Sequence, residues 1–201
     1  MTAVYWYSSL LLFAALLALA IYILLIRRGA TTIASPRLII PTTVGDAPFV
    51  SALNDHLYFA GQPTATSLPL FRDRGVRTII NLRSDSEMAE VNFDEEALTE
   101  QLDMTYMSIP VSGDARSEAT LPYLFDILTQ KSDQPLLLHC ATSRRAGYVW
   151  AIYQAVRQGQ SLRDAIEYGR QAGMNSALLK ARASAYIKRH LRDVKSTATV
   201  R

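Results

Sequence analysis

The sequence predicts an α/β domain, a central mostly parallel sheet flanked by helices, preceded by one N-terminal transmembrane helix. Three observations carry that expectation. Short apolar or β-branched runs, among them "VRTIINLR" (76–83), "MTYMSIP" (104–110) and "PLLLH" (135–139), alternate with longer amphipathic stretches, the order that builds parallel strands covered by helices. Turn and cap residues punctuate the chain between them. From Thr2 to Ile26 no side chain is charged, and such a run fills the ~20 residues that a membrane-crossing helix needs.

Taken in order, residues 1–28 read as the membrane helix, with contact to lipid through residues 5–26. Tyr5, Trp6 and Tyr7 at one end and Tyr22 near the other suit a lipid–water interface. A cleaved signal peptide is disfavoured by the missing basic leader and the length of the apolar run. Arg27, Arg28 and Arg37 follow the span, and the positive-inside bias places the C-terminal domain in the cytoplasm. Residues 29–48, rich in Thr, Pro, Ala and Gly with one apolar patch, "LII", read as a linker or an extended arm onto the domain. The domain proper is expected over 49–195. It opens with a strand or hairpin at "HLYFAGQPT" (56–64). A short helix capped by Ser67, with Pro69 in its first turn and Gly75 after its end, comes next. After the strand "VRTIINLR" comes an acidic helix from about Asn92 to Leu102, then the strand ended by Pro110 and a helix from Thr120 to Gln130. Ser161 caps "LRDAIEYGRQAG", Asn175 or Ser176 caps a basic helix to about Leu191, and 196–201 reads as a disordered tail.

Composition narrows the functional classes. The chain has 201 residues, 49% of them hydrophobic, and a net charge of +3 made of scattered Lys and Arg rather than a block, so nucleic acid is not indicated as a partner. Cys140 is the only cysteine, which excludes an internal disulfide framework, a CxxC redox pair and a cysteine-rich zinc site. Oligomeric state is not legible.

The chemistry concentrates in "PLLLHCATSRRAGYVW" (135–150), read as strand, loop and helix. A cysteine at the end of a buried strand, facing a helix N-terminus, sits where backbone N–H groups converge, which favours thiolate over thiol and favours a bound anion beside it. A phosphate or sulfate there would be wrapped by the amides of Ala141, Thr142, Ser143, Arg144, Arg145 and Ala146, with the Arg145 fork offering bidentate contact. Cys140 is the candidate nucleophile. Arg145 is a cation at the helix end where a cation is unfavourable without an anion, whereas the Arg144 side chain reads as a solvent-facing charge. His139 reads as a structural residue that orients the cysteine. Cleavage of a phosphate ester also needs a proton for the leaving oxygen. Asp114, in "PVSGDARS", is the first candidate donor and Asp85, in "NLRSDSE", the second. Arg83 in the latter loop either binds substrate or pairs with Glu87.

With these residues in hand the chain resembles the cysteine-dependent protein tyrosine and dual-specificity phosphatases. It looks closest to the bacterial branch named after beta-lactamase-hydrolase-like proteins. The similarity rests on "FAGQPT" (59–64), "GVRTIINLRSDSE" (75–87), "MTYMSIPV" (104–111) and "HCATSRRAG" (139–147), in that order. The resemblance implies a phosphatase-like fold, Cys140 as nucleophile, Arg145 as phosphate ligand, no metal or other cofactor, and a phosphorylated protein or small molecule as substrate. With the apolar N-terminus it implies a bacterial inner-membrane protein. Three departures stand out. Four residues separate Cys140 from Arg145, one fewer than is usual in such loops; the usual loop glycine is replaced around Thr142 and Ser143; and Ala146 stands where a hydroxyl residue commonly follows the arginine. The short loop also resembles that of rhodanese-type enzymes, so sulfur transfer through a Cys140 persulfide is the alternative, and a non-catalytic phosphate-binding module is the third reading.

Overall fold

Period-two alternation along the strands sets three layers. The computed structural model describes residues 39–131 and 134–199. Its strands are β1 (Ile39–Pro41), β2 (Ser51–Leu53), β3 (Leu57–Ala60), β4 (Thr78–Asn81), β5 (Thr105–Ser108) and β6 (Leu136–His139). The helices are α1 (Leu68–Asp73), α2 (Asp85–Met88), α3 (Glu95–Gln101), α4 (Leu121–Gln130), α5 (Arg144–Val156), α6 (Leu162–Gln171) and α7 (Ala177–Thr199), with a 3₁₀ turn at Ala115–Thr120. Six strands form one sheet in the order β1-β2-β3-β6-β4-β5. β3, β6, β4 and β5 are parallel, while β1, β2 and β3 form an antiparallel meander, so the sheet is mixed and mainly parallel.

On one face Tyr58, Ala60, Ile79 and Leu137 meet Leu68 and Phe71 of α1, with Leu98 of α3 packed alongside. On the other, Phe59, Ile80, Leu136 and Leu138 meet Leu124 and Phe125 of α4, Val149 and Ile152 of α5, Ala165 of α6 and Ile187 of α7. Each fully buried Leu, Ile or Phe contributes about 1.5–3 kcal/mol relative to exposure. β6 lies between β3 and β4, so its C-terminal end opens at the middle of the sheet, where parallel α/β sheets place their ligands. The same alternation turns His139 to the face of Leu137, toward α3. Helix α5 is buried from Ala146 through Ala155. It comes close to α6 because both carry glycine at the crossing: a Cβ on Gly147 would lie 2.5 Å from the Gly169 carbonyl oxygen.

Several expectations need correction. Part of the stretch read as linker belongs to the sheet: Ile39–Pro41 pairs with β2, and Val44 is fully buried against the α1 face. The expected tail is helical as far as Thr199, and the acidic helix begins at Glu95 behind an Asp94 cap. Among the described residues no helix is long and apolar enough to cross a membrane. The placement as a single-pass membrane protein with a cytoplasmic C-terminal domain is corrected on that ground. The stretch 1–28, including the lipid contact expected of residues 5–26, lies outside the described residues.

Candidate active site

The start of the loop after β6 is fixed by β3 and the residues that follow it. The Cys140 amide donates to the Ala60 carbonyl at 3.3 Å, the Gln62 amide donates to the Ala141 carbonyl at 3.2 Å, and Thr142 bridges to Gly61. The chain then turns through Ser143, whose φ of 61° is in the left-handed region, where a residue other than glycine is strained. That turn starts α5, and the Gly147 amide donates back to the Ser143 carbonyl at 2.9 Å. The buried Ser143 hydroxyl donates to the Ala172 carbonyl at 2.9 Å. Its side chain lies against Gly173, where a Cβ would come within 2.7 Å of it. Among the described residues no backbone bond takes up the N–H of Ala141, Thr142, Arg144, Arg145 or Ala146, whereas the Ser143 N–H faces the Ala60 carbonyl across the bridge between Gly61 and Thr142. Five donors are thus unengaged, three of them in the first turn of a buried helix, where orphan N–H groups favour negative charge.

Cys140 sits at the base of this loop and is 1% exposed, with its side chain in the larger core cluster. Arg145 reaches across the loop from α5. Its Nη1 donates to the carbonyls of Leu82 and Val111 at 3.2 and 3.3 Å and to Glu87 Oε2 at 2.9 Å, and its Nη2 donates to Glu87 Oε1 at 2.5 Å. The Nε edge is not used by any of these bonds. Burial opposes the Arg145 charge, but the Glu87 carboxylate and the Cys140 sulfur outweigh it and hold the guanidinium above its usual range. The same bond from Arg145 brings the Glu87 carboxyl down to about 2, so Glu87 is ionised at neutral pH. Glu87 is also the partner of Ser84 in a reciprocal capping box on α2. Arg83 donates to Gln62 Oε1 and the Glu87 carbonyl, both at 2.6 Å, and its Nε lies 3.8 Å from Glu87.

The other candidates lie as follows. The Arg144 side chain turns outward to Asn175 at 2.8 Å, leaving its amide in the loop. Asp114 caps the 3₁₀ turn three residues beyond Val111. Its carboxylate accepts from the Ser112 hydroxyl at 2.7 Å, from the Arg116 amide, and from the Arg116 guanidinium at 2.8 and 3.1 Å. These bonds, led by the Arg116 side chain, hold Asp114 far below the usual carboxylate range, so in this arrangement it is a cap and carries no proton. Asp85 is an exposed residue in the first turn of α2. His139 is fully buried, with Nε2 3.2 Å from Glu95 Oε1. Among the described residues no group of His, Cys, Asp and Glu side chains could hold a metal ion. Sequence reasoning placed Glu87 only as an Arg83 partner and passed over Glu95 and Gln62. The Ser84-x-x-Glu87 capping box was a readable signal for the first of these; nothing local marks the other two.

The mainly parallel sheet with this strand, loop and helix at its centre is the fold of the cysteine-dependent phosphatases of the tyrosine and dual-specificity type. The family model described as "DSP-PTPase phosphatase fused to NAD+ Kinase" matches residues 42–188, and the chain belongs to that family. It is 31% identical over 117 residues to a beta-lactamase hydrolase-like protein of Xylella fastidiosa, covering 57% of this chain and 27% of that one. It is 28% identical over 125 residues to the Agrobacterium fabrum protein of the same description, covering 61% and 29%. The chain thus spans less than a third of the length of these curated relatives. Among solved structures, P. aeruginosa TpbA in complex with phosphotyrosine superposes with a TM-score of 0.60 at 23% identity, over 77% of this chain and 90% of that one. A putative phosphatase from Shewanella putrefaciens gives 0.56 at 22%, over 72% and 89%. The fold is shared with both.

Proposed function

We propose that this domain hydrolyses phosphate monoesters through a phosphocysteine intermediate at Cys140. The observation that carries this is the set of unengaged amides of Ala141, Thr142, Arg144, Arg145 and Ala146 beside Cys140, with the Arg145 guanidinium held across the same loop. The phosphoryl oxygens take the amides and the guanidinium, and the same donors stabilise the charge that builds up in the transition state. The Cys140 sulfur attacks phosphorus in line, the bond to the ester oxygen breaks, and the leaving oxygen takes a proton. Water then attacks phosphorus, the S–P bond breaks, and inorganic phosphate leaves. Asp114 is the proton donor in this reading. To act it exchanges Arg116 for the substrate when its loop, anchored at Val111 by Arg145, closes.

A buried nucleophile favours a substrate that carries its phosphate on a long, thin group; phosphotyrosine, the ligand named in the TpbA complex, is such a group. A cleft of about 680 Å³ lined by Gln62, Thr64, Arg83, Asn92 and Phe93 adjoins the loop through Gln62 and offers room for the body of a phosphorylated peptide or small molecule. The test is release of phosphate from p-nitrophenyl phosphate by the full chain. Cys140→Ser abolishes turnover, Arg145→Lys lowers kcat/KM, and Asp114→Asn lowers kcat. Phosphate binding without turnover in the wild type would refute the catalytic reading.

A further inference from the structure

Behind the catalytic loop the described core holds polar atoms that the reaction above does not use. Both ring nitrogens of His139 and Oε1 of Glu95 are buried without a well-aligned hydrogen bond. Buried polar atoms of this kind call for an explanation. Their nearest ionic neighbours are each other, His139 Nε2 and Glu95 Oε1 being 3.2 Å apart with both side chains fully buried. The pair comes together because alternation turns His139 toward α3, where Glu95 projects from the first turn. Around it stand Gln62 after β3, Asn81 and Arg83 after β4, Tyr106 on β5, Arg145 on α5, and Asp94 and Glu96 on α3 itself. Asn81 donates to the Tyr106 hydroxyl at 2.8 Å, and that hydroxyl lies 3.4 Å from Glu95 Oε2. A depression of about 300 Å³ lined by Glu95, Glu96, Tyr106 and Phe93 connects Glu95 to the surface, a route by which protons exchange.

We propose that Glu95 is a positioning residue for Cys140: Glu95 and His139 share one proton, and loss of that proton places an uncompensated anion behind the catalytic loop and slows the reaction. Two charges in this site are disfavoured by burial. Burial pushes the Glu95 carboxyl up to about 7. Burial also pulls the imidazole down, the more so because Arg83 and Arg145 are near. The neutral pair is therefore the main form on the acid side of about 7. When Glu95 ionises, its charge opposes both the cysteine thiolate and the substrate dianion, which occupy the other side of His139.

The inference rests on the phosphatase reading, and its test separates the two. In the full wild-type chain kcat/KM for p-nitrophenyl phosphate falls as pH rises through about 7, roughly tenfold by one unit above that point, as loss of a single required proton demands. Glu95→Gln, which keeps the shape of the protonated acid, removes this alkaline limb, so the ratio of kcat/KM at pH 8 to that at pH 6 rises about tenfold over wild type. Glu95→Ala does not restore the acid-side rate. Independently of turnover, the ring nitrogen shifts of His139 in the wild type respond to a titration near 7 without passing to imidazolium. If Glu95→Gln tracks the wild-type profile, or if His139 itself becomes a cation at ordinary imidazole pH, the proposal is overturned. The wild-type shifts decide it even where a variant fails to fold. An enzyme inert toward the ester with the expected His139 shifts would count against the phosphatase reading and not against the shared proton.

Discussion

Ser143 carries the left-handed turn that aims the loop amides inward, and replacing it by glycine and by alanine tests that role in two opposed ways. At φ 61° a residue with a Cβ is strained by about 1 kcal/mol. Both substitutions remove the buried bond from the hydroxyl to the Ala172 carbonyl, at a cost of about 1 kcal/mol. Alanine keeps the backbone strain. Glycine relieves it, while its freer unfolded chain costs a similar amount. The structure therefore predicts that Ser143→Gly and Ser143→Ala are about equally stable, whereas at an ordinary position alanine exceeds glycine by about 0.5–1 kcal/mol. Urea unfolding of the two variants measures this directly as a difference in midpoint at equal slope. Alanine more stable than glycine by that margin would mean that the loop does not hold this turn in solution, and the converging amides would fall with it.

Other outcomes follow from the same geometry. Glu87→Gln leaves Arg145 without its ionised partner, and kcat/KM for an aryl phosphate drops about tenfold, the scale of one charge-assisted hydrogen bond, mainly through KM; an unchanged KM would mean that the clamp does not orient the arginine. The folded-state pKa of Glu87 is depressed, so its stabilisation is present above the unfolded value of 4.5 and is lost as pH falls toward about 2; acid unfolding of Glu87→Gln lacks that step. Arg116→Ala releases Asp114 toward an ordinary carboxyl range in the free enzyme, so the limb of the kcat/KM profile that Asp114 controls moves to higher pH, and a profile that does not move removes Asp114 as the proton donor. For the buried pair, the folded protein holds one proton where the unfolded chain holds two below the carboxyl value of 4.5 and none above the imidazole value of 6.5. The pair's contribution to stability is thus flat between those values, falls on acidification below 4.5, and falls again from 6.5 until Glu95 ionises near 7; Glu95→Gln loses the upper step in a pH series of melting curves. Gly147→Ala forces a Cβ to within 2.5 Å of the Gly169 carbonyl and destabilises by about 1–3 kcal/mol, the scale of an overpacked core, which thermal unfolding reads.

The centre of this fold was legible because it is locally encoded. A leucine-rich run, a cysteine, a polar loop and an apolar helix need no distant contact to be read as strand, loop and helix, and the caps at Ser161 and Ser176 obey side-chain chemistry within one turn. What was missed depends on neighbours. Ile39–Pro41 is a three-residue edge strand with a proline, and only pairing with β2 separates it from a linker. The residues of α7 beyond Leu191 have no apolar stripe to announce them, yet they form helix as far as Thr199. Glu95 sits in an acidic run, "FDEEALTE", that reads as a solvated helix face; it becomes a buried acid only because α3 packs where β4, β5 and β6 end. Asp114 was read for its loop and not for Arg116 two residues on, whose bond decides its protonation.

The central claim is a covalent bond between phosphorus and the Cys140 sulfur. Rapid acid quench of the full chain during turnover of an aryl phosphate, followed by mass spectrometry of the peptide that contains Cys140, tests it directly. One phosphoryl group on Cys140, absent from Cys140→Ser together with all turnover, is the predicted result. Turnover that persists in Cys140→Ser, or a phosphoryl group found on another residue, would contradict it.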